Sequence, residues 1–224
     1  MARELARLYY PEVLNASQKE LINFIKWCNK VYGYHPIIIG GWAVWAYTKY
    51  SKSIDIDVIF PTTQAIHSLL IPYYKANNFK STGIITKEYF KEIKTKKGTE
   101  RIYIDAASYS NKNILKEKRI EVPWNLLEKN SKEYRFNGTT ARIPAPELLL
   151  IYKVKALRDR KLELKTPEAT RAERSFLESK IKKDEDDIRE LLKTRQDENK
   201  LKQLLKETKF TEIFEETVQE LKKD

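Results

Sequence analysis

The run Ser53-Ile54-Asp55-Ile56-Asp57-Val58 constrains the chain most, because two carboxylates alternate strictly with β-branched apolar residues. In a strand, residues two apart share a face and lie about 6.6 Å apart along the axis. Asp55 and Asp57 therefore project together, while Ile54, Ile56 and Val58 can enter a core. Two like charges so close raise one proton affinity or require a cation. Oxygen ligands with room left for water and phosphate suit Mg2+. A pair of such ions about 3.5–4 Å apart can hold both the attacking oxygen and the leaving phosphate oxygen.

What precedes this run fits the same chemistry. Pro36-Ile37-Ile38-Ile39 reads as a short buried strand, broken by Gly40-Gly41 before a helix-compatible stretch from Trp42 to Tyr50. The glycines permit a tight strand-to-helix turn, and their missing side chains let backbone N–H groups approach a phosphate at a helix start. Ser53 can donate a further hydrogen bond, and Lys52 can approach a triphosphate. Asp105, in Arg101-Ile102-Tyr103-Ile104-Asp105, is a third acid in a strand-like segment. Beside the Asp55/Asp57 strand it would supply a third ligand and accept the proton of an attacking hydroxyl. Tyr103 shares its face by alternation.

Other elements follow from periodicity. Ser17 and Glu20 match a capping box for a helix over 17–32, whose face is Leu21, Phe24, Ile25 and Cys28. A strand covers Ile54 to Phe60. Thr62 or Thr63 caps the next helix, which Pro72 should kink or end. Residues 88–95 and 101–107 read as strands joined around Lys97-Gly98, and Asn137-Gly138 as a hairpin turn. Pro144-Ala145-Pro146 is the best boundary, giving a domain over 1–143 and a helical domain over 144–224. The latter holds helices from Glu147 to Arg160, from Pro167 to about Thr194, and over 197–208 and 210–222. The fold class expected is thus α/β (α+β): a mixed sheet flanked by helices, then helices alone.

Charge narrows the partners. Lys and Arg number 43 against 32 Asp and Glu; residues 61–150 hold sixteen against nine, which is +7 of the net +11. That field favours polyanionic or phosphate-bearing partners, though a lysine-rich solvated surface has the same composition. One cysteine, Cys28, and two isolated histidines, His35 and His67, exclude an internal disulfide and disfavour a cysteine- or histidine-built zinc centre. Without a membrane-length apolar run or a leader-type segment, a cytoplasmic protein with no membrane partner is expected.

The Gly40-Gly41 turn, the short helix and the Asp55/Asp57 strand together resemble the signature of the DNA polymerase beta-like nucleotidyltransferase superfamily, with Asp105 similar to its third carboxylate. Pro146 to Ala156, then Arg158 or Arg160, and Lys183-Asp184 with Asp187-Ile188 look like the minimal AbiEii and MenT toxin type. The resemblance spans roughly residues 36–192. It implies a nucleotidyltransferase-like fold in which Asp55, Asp57 and Asp105 hold one or two Mg2+ ions. A nucleoside monophosphate would move from a nucleoside triphosphate to an acceptor, releasing pyrophosphate. Gly40, Gly41 and Ser53 would contact the triphosphate. Lys153 would match a lysine directed at the phosphates, and Asp187 an acidic residue of a later helix. Relatives often carry Arg where this chain has Ser51, so charge neutralisation would fall to Lys52, Lys153, Lys155 or Arg158. RNA, especially a tRNA end, is one acceptor that this analogy implies; a small metabolite, an antibiotic or a protein side chain also fits.

A second class stays open: a non-catalytic member acting as a nucleic-acid-binding module or as one half of a toxin–antitoxin pair with a partner protein. Three acids matching the ligand positions disfavour it, since a nucleic-acid surface has little use for a focused anionic cluster.

Overall fold

Strand-forming runs dominate the first two thirds of the chain and helices the last third. The computed structural model describes residues 11–82, 88–96, 98–166 and 170–223. Its strands are β1 (Ile37–Ile39), β2 (Ile56–Phe60), β3 (Lys80–Thr82), β4 (Glu88–Thr95), β5 (Gly98–Ser108), β6 (Ile114–Leu115), β7 (Ile120–Glu121), β8 (Ser131–Phe136) and β9 (Thr139–Pro144). Seven form one sheet in the order β3-β4-β5-β2-β1-β9-β8, and β6 pairs with β7 apart from it. The sheet is mixed, with β2 parallel to β5 and β1 parallel to β9 but β1 antiparallel to β2. The β8–β9 hairpin turns at Asn137 (φ 47°) and Gly138 (φ 82°), the left-handed pair that a tight two-residue hairpin needs.

The helices are α1 (Pro11–Tyr32), α2 (Gly40–Thr48), a composite α3, α4 (Leu126–Lys129), α5 (Pro146–Leu164), α6 (Arg171–Leu192), α7 (Glu198–Glu207) and α8 (Thr211–Lys223). Leu21, Phe24, Ile25 and Cys28 of α1 are fully buried, as their spacing predicts, and burial pushes the Cys28 thiol up to about 12. The expected α+β class, a mixed sheet flanked by helices with a C-terminal helical region, is the one observed. One continuous apolar cluster includes Ile38 and Val58 of the sheet, Leu148 and Val154 of α5, and Ile188 of α6. Among the described residues no helix is long and apolar enough to cross a membrane.

Three local expectations need correction. Helix α1 already runs from Pro11, so Ser17 and Glu20 are interior positions and not a cap. Their side chains make tertiary bonds instead: Ser17 Oγ donates to the Ile54 carbonyl at 2.6 Å, and Glu20 accepts from Tyr73 OH and, at 2.7 Å, from Lys91. The Ser-x-x-Glu pattern is also the i, i+3 spacing of a buried helix face, which is the use made of it here. Strand β2 begins at Ile56, and Ile54 and Asp55 lie in a bend.

Pro72 does not end its helix, which continues to Ala76. Composite α3 runs through an α-helical turn Thr63–Ala65, a π-helical turn Ile66–Leu70 and a second α-helical piece Ile71–Ala76, with Pro72 in the first turn of that last piece. There its missing N–H costs nothing, because the wider turn upstream has already shifted the bonding. Thr62 is the cap, accepting from Ala65 N at 3.1 Å. In the helical region, Pro167 lies outside the described residues. The capping box of α6 is Thr170 with Glu173: Thr170 N donates to Glu173 Oε2 at 2.7 Å and Glu173 N to Thr170 Oγ1 at 3.3 Å.

Candidate active site

The parallel pairing of β2 with β5 sets Asp57 opposite Asp105. Two residues further along, Ile59 faces Ala107 in the same register, so the sheet surface changes from carboxylate to apolar within one strand repeat. A cavity of about 310 Å³ opens over this face, walled by Gly40, Asp57 and Asp105 on one side and by Lys153, Arg160 and Tyr152 of α5 on the other. Trp124 and Tyr152, with ring centroids 4.8 Å apart, line its apolar part.

Gly40 shapes the edge of the cavity. It has φ +63°, and a Cβ there would meet Asp57 Oδ2 at 1.9 Å. At Gly41 a Cβ would meet Ser53 Oγ at 2.7 Å and Lys183 Nζ at 3.2 Å. Helix α2 starts here without a side-chain cap, so its first N–H groups have no side-chain acceptor and attract negative charge.

The helices bring the positive charge. Lys153 is buried and donates to Asp184 Oδ1 at 3.0 Å and Asp187 Oδ2 at 2.7 Å. Lys183 donates to Asp187 Oδ2 at 3.0 Å, and Arg160 pairs with Asp184. Lys180 donates to Asp55 Oδ2 at 2.9 Å. Among the described residues, the ion pairs of this site thus engage Asp55, Asp184 and Asp187 but neither Asp57 nor Asp105.

The titration behaviour follows from this distribution. Burial, and then the Asp55 charge, raises the Asp57 carboxyl above the usual range even though Lys153, Lys180 and Arg160 oppose it. Asp105 reaches the open side of its strand, but partial desolvation and the Asp57 and Asp55 charges push it up to about 6. For Asp187 burial acts upward, and the Lys153 and Lys183 ammoniums outweigh it, holding the carboxyl below the usual range. Burial, then repulsion from Lys153, lowers Lys183.

The expected site residues therefore separate by position. Gly40, Asp57, Asp105 and Lys153 line one cavity; Gly41 and Ser53 sit at its margin against Lys183; Asp187 lies behind Lys153 as its buried partner. Asp55 points instead toward Lys180 and lines a second cavity of about 370 Å³ with Tyr103 and Asp105. Lys52 is not brought to the site and donates to Asn15 on α1 at 2.9 Å. Lys155 and Arg158 pair with Asp159 and Glu117, away from the carboxylates. Arg160, Lys180 and Lys183 occupy the facing positions. Trp42 is fully buried, its ring edge-on to Trp45 at 5.6 Å, and His35 pairs with Glu133 at 3.2 Å.

Hard carboxylate oxygens beside a glycine cradle fit Mg2+ in donor chemistry. Placement fits for Asp57 and Asp105; Asp55 is held by Lys180, and among the described residues no three His, Cys, Asp or Glu side chains gather into a metal-holding group.

No family model matches the chain, and no curated protein matches it. Solved structures resemble it remotely. An antigenic nucleotidyltransferase-like protein from Paracoccidioides brasiliensis is 13% identical with a TM-score of 0.49, the alignment covering 82% of this chain and 77% of that one. The antibiotic-resistance factor ANT(2'')-Ia is 14% identical with a TM-score of 0.42, over 78% of this chain and 90% of that one. Both likenesses are remote, and neither singles out an AbiEii or MenT subgroup.

Proposed function

We propose that this chain is a metal-dependent nucleotidyltransferase. The observation that carries this is the Asp57–Asp105 register pair, uncompensated by any ion pair among the described residues, set beside the Gly40 cradle and faced by Lys153 and Arg160. Bound between these carboxylates, Mg2+ would supply Lewis-acid neutralisation of the phosphates. The N–H groups at the start of α2 hold the distal phosphates, and Lys153, Lys183 and Arg160 offset their charge. Asp105 takes the acceptor's proton. The acceptor oxygen forms a bond to the α-phosphorus as the bond to the β-phosphate bridge breaks, and pyrophosphate leaves. Positioning and fixed charge supply most of the acceleration.

The donor is a nucleoside triphosphate, ATP among those to try. RNA, including a tRNA end, is the acceptor favoured by the +7 charge of residues 61–150. A toxin role of the AbiEii or MenT type, with a partner antitoxin, belongs to the same proposal. One observation favours the non-catalytic alternative, a nucleic-acid-binding or toxin–antitoxin interaction protein of the same fold: Lys153 and Asp55 both already have partners within the protein.

A magnesium-dependent label-transfer assay decides between them, run with each of four nucleoside triphosphates and with total RNA or protein as acceptor. Transfer by the parent and none by a folded Asp57→Asn variant is expected. Equal transfer by both, or no transfer with tight salt-sensitive RNA binding, overturns the proposal.

A further inference from the structure

Lys180 is a cation that neither the carboxylate motif nor the resemblance anticipates. It comes from α6, 125 residues beyond Asp55, and its ammonium is seated on two groups at once: Asp55 Oδ2 at 2.9 Å and the face of Phe176, whose centroid is 5.3 Å away. Both partners of the ion pair are largely shielded, with 23% of the lysine and 27% of the aspartate side chain exposed. Its field also reaches Asp57 and Asp105.

We propose that Lys180 is an internal counter-ion that competes with the divalent cation for Asp55, so that the grip of α6 on the bend before β2 and metal occupancy at that carboxylate exclude one another. This rests on the carboxylates being metal ligands, as proposed above. An oxygen already taken by an ammonium offers a poorer site to a second cation, and the third carboxylate joins Asp57 and Asp105 only when Lys180 withdraws. Lys180 itself lines the second cavity with Asp55, Asp105, Tyr103 and Phe176, so there is open space beside the ion pair. Lys180 is thus a positioning residue, and the coupling is reciprocal: whatever loosens α6 tightens metal binding, and metal loosens α6.

The test uses the full chain without nucleotide and Mn2+ alone, with free Mn2+ read by electron paramagnetic resonance. Lys180→Gln is expected to bind Mn2+ about five- to tenfold more tightly than the parent, and Lys180→Arg, which keeps the charge, about as the parent does. In the parent, Mn2+ should also speed amide exchange over residues 171–182, and this measurement carries the test even where a variant fails to fold. Equal affinity of parent and Lys180→Gln, or exchange unchanged by Mn2+ in the parent, overturns the inference and leaves nucleotidyl transfer standing. Binding by neither protein overturns both.

Discussion

Gly40 and Asp57 are fitted to each other: a Cβ on the glycine would stand 1.9 Å from Oδ2 of the aspartate, and the glycine's φ of +63° is one that side chains rarely adopt. Gly40→Ala is therefore expected to push Asp57 out of register with Asp105 and abolish label transfer. A stability loss of about 1–3 kcal/mol should accompany it. Gly41→Ala meets the Ser53 side chain, which can rotate, and should cost less. Urea unfolding and transfer assays on both variants check the contrast.

Asp105 should make the metal-free protein less stable as pH rises. Its folded-state carboxyl is raised from 3.8 to about 6, so its stabilising contribution is fully present below pH 3.8 and is lost as pH climbs through 6. Asp105→Asn removes that dependence. At pH 7.5 it should stabilise the protein by about 1 kcal/mol, after allowance for solvent screening at this exposed position, with the difference vanishing near pH 4. Denaturation curves at the two pH values measure it.

Lys153→Met leaves Asp187 and Asp184 with fewer counter-charges inside the protein. Removing one partner of a buried ion pair costs about 3–5 kcal/mol. A loss of that size is expected by denaturation, with partial recovery in Lys153→Met/Asp187→Leu, where neither charge remains.

Ser17→Ala tests the link between α1 and the bend that carries Asp55. Ser17 Oγ donates to the Ile54 carbonyl at 2.6 Å and accepts from Trp42 Nε1 at 3.2 Å, all in the interior. The variant orphans both groups and should lose about 1–3 kcal/mol. Faster amide exchange at residues 53–56 is the accompanying signature.

Strand alternation turns Ile56 and Val58 to the core, because period-two patterning is local; that Asp57 lies opposite Asp105 depends on the β2–β5 pairing and register, which neither strand's own pattern sets. Lys153 stands out only through the family resemblance, since nothing in the α5 segment distinguishes a buried lysine from a solvated one. Arg160 and Lys180 pair with acids on other elements, Asp184 and Asp55, and Lys183 with Asp187 one turn on, while a charge-rich helix such as α6 hides which face is turned inward. Lys180, Lys183 and Asp187 recur at helical spacing as a polar stripe where an apolar one is usual, with Phe176 one turn before it. Ser17 and Glu20 misled for the opposite reason, a local capping pattern serving long-range bonds.

Between β9 and α5 stands a single residue, Ala145, whose N–H is bonded to the Asn130 carbonyl at 2.7 Å and whose own carbonyl accepts from Leu149 N at 2.9 Å. The join therefore has no slack. Sheet and helices cannot swing apart there as bodies on a tether, and a protease finds no loose loop to nick. β9 and α5 are held there as one piece, and the cavity over Asp57 and Asp105 is walled by both the sheet and that helix.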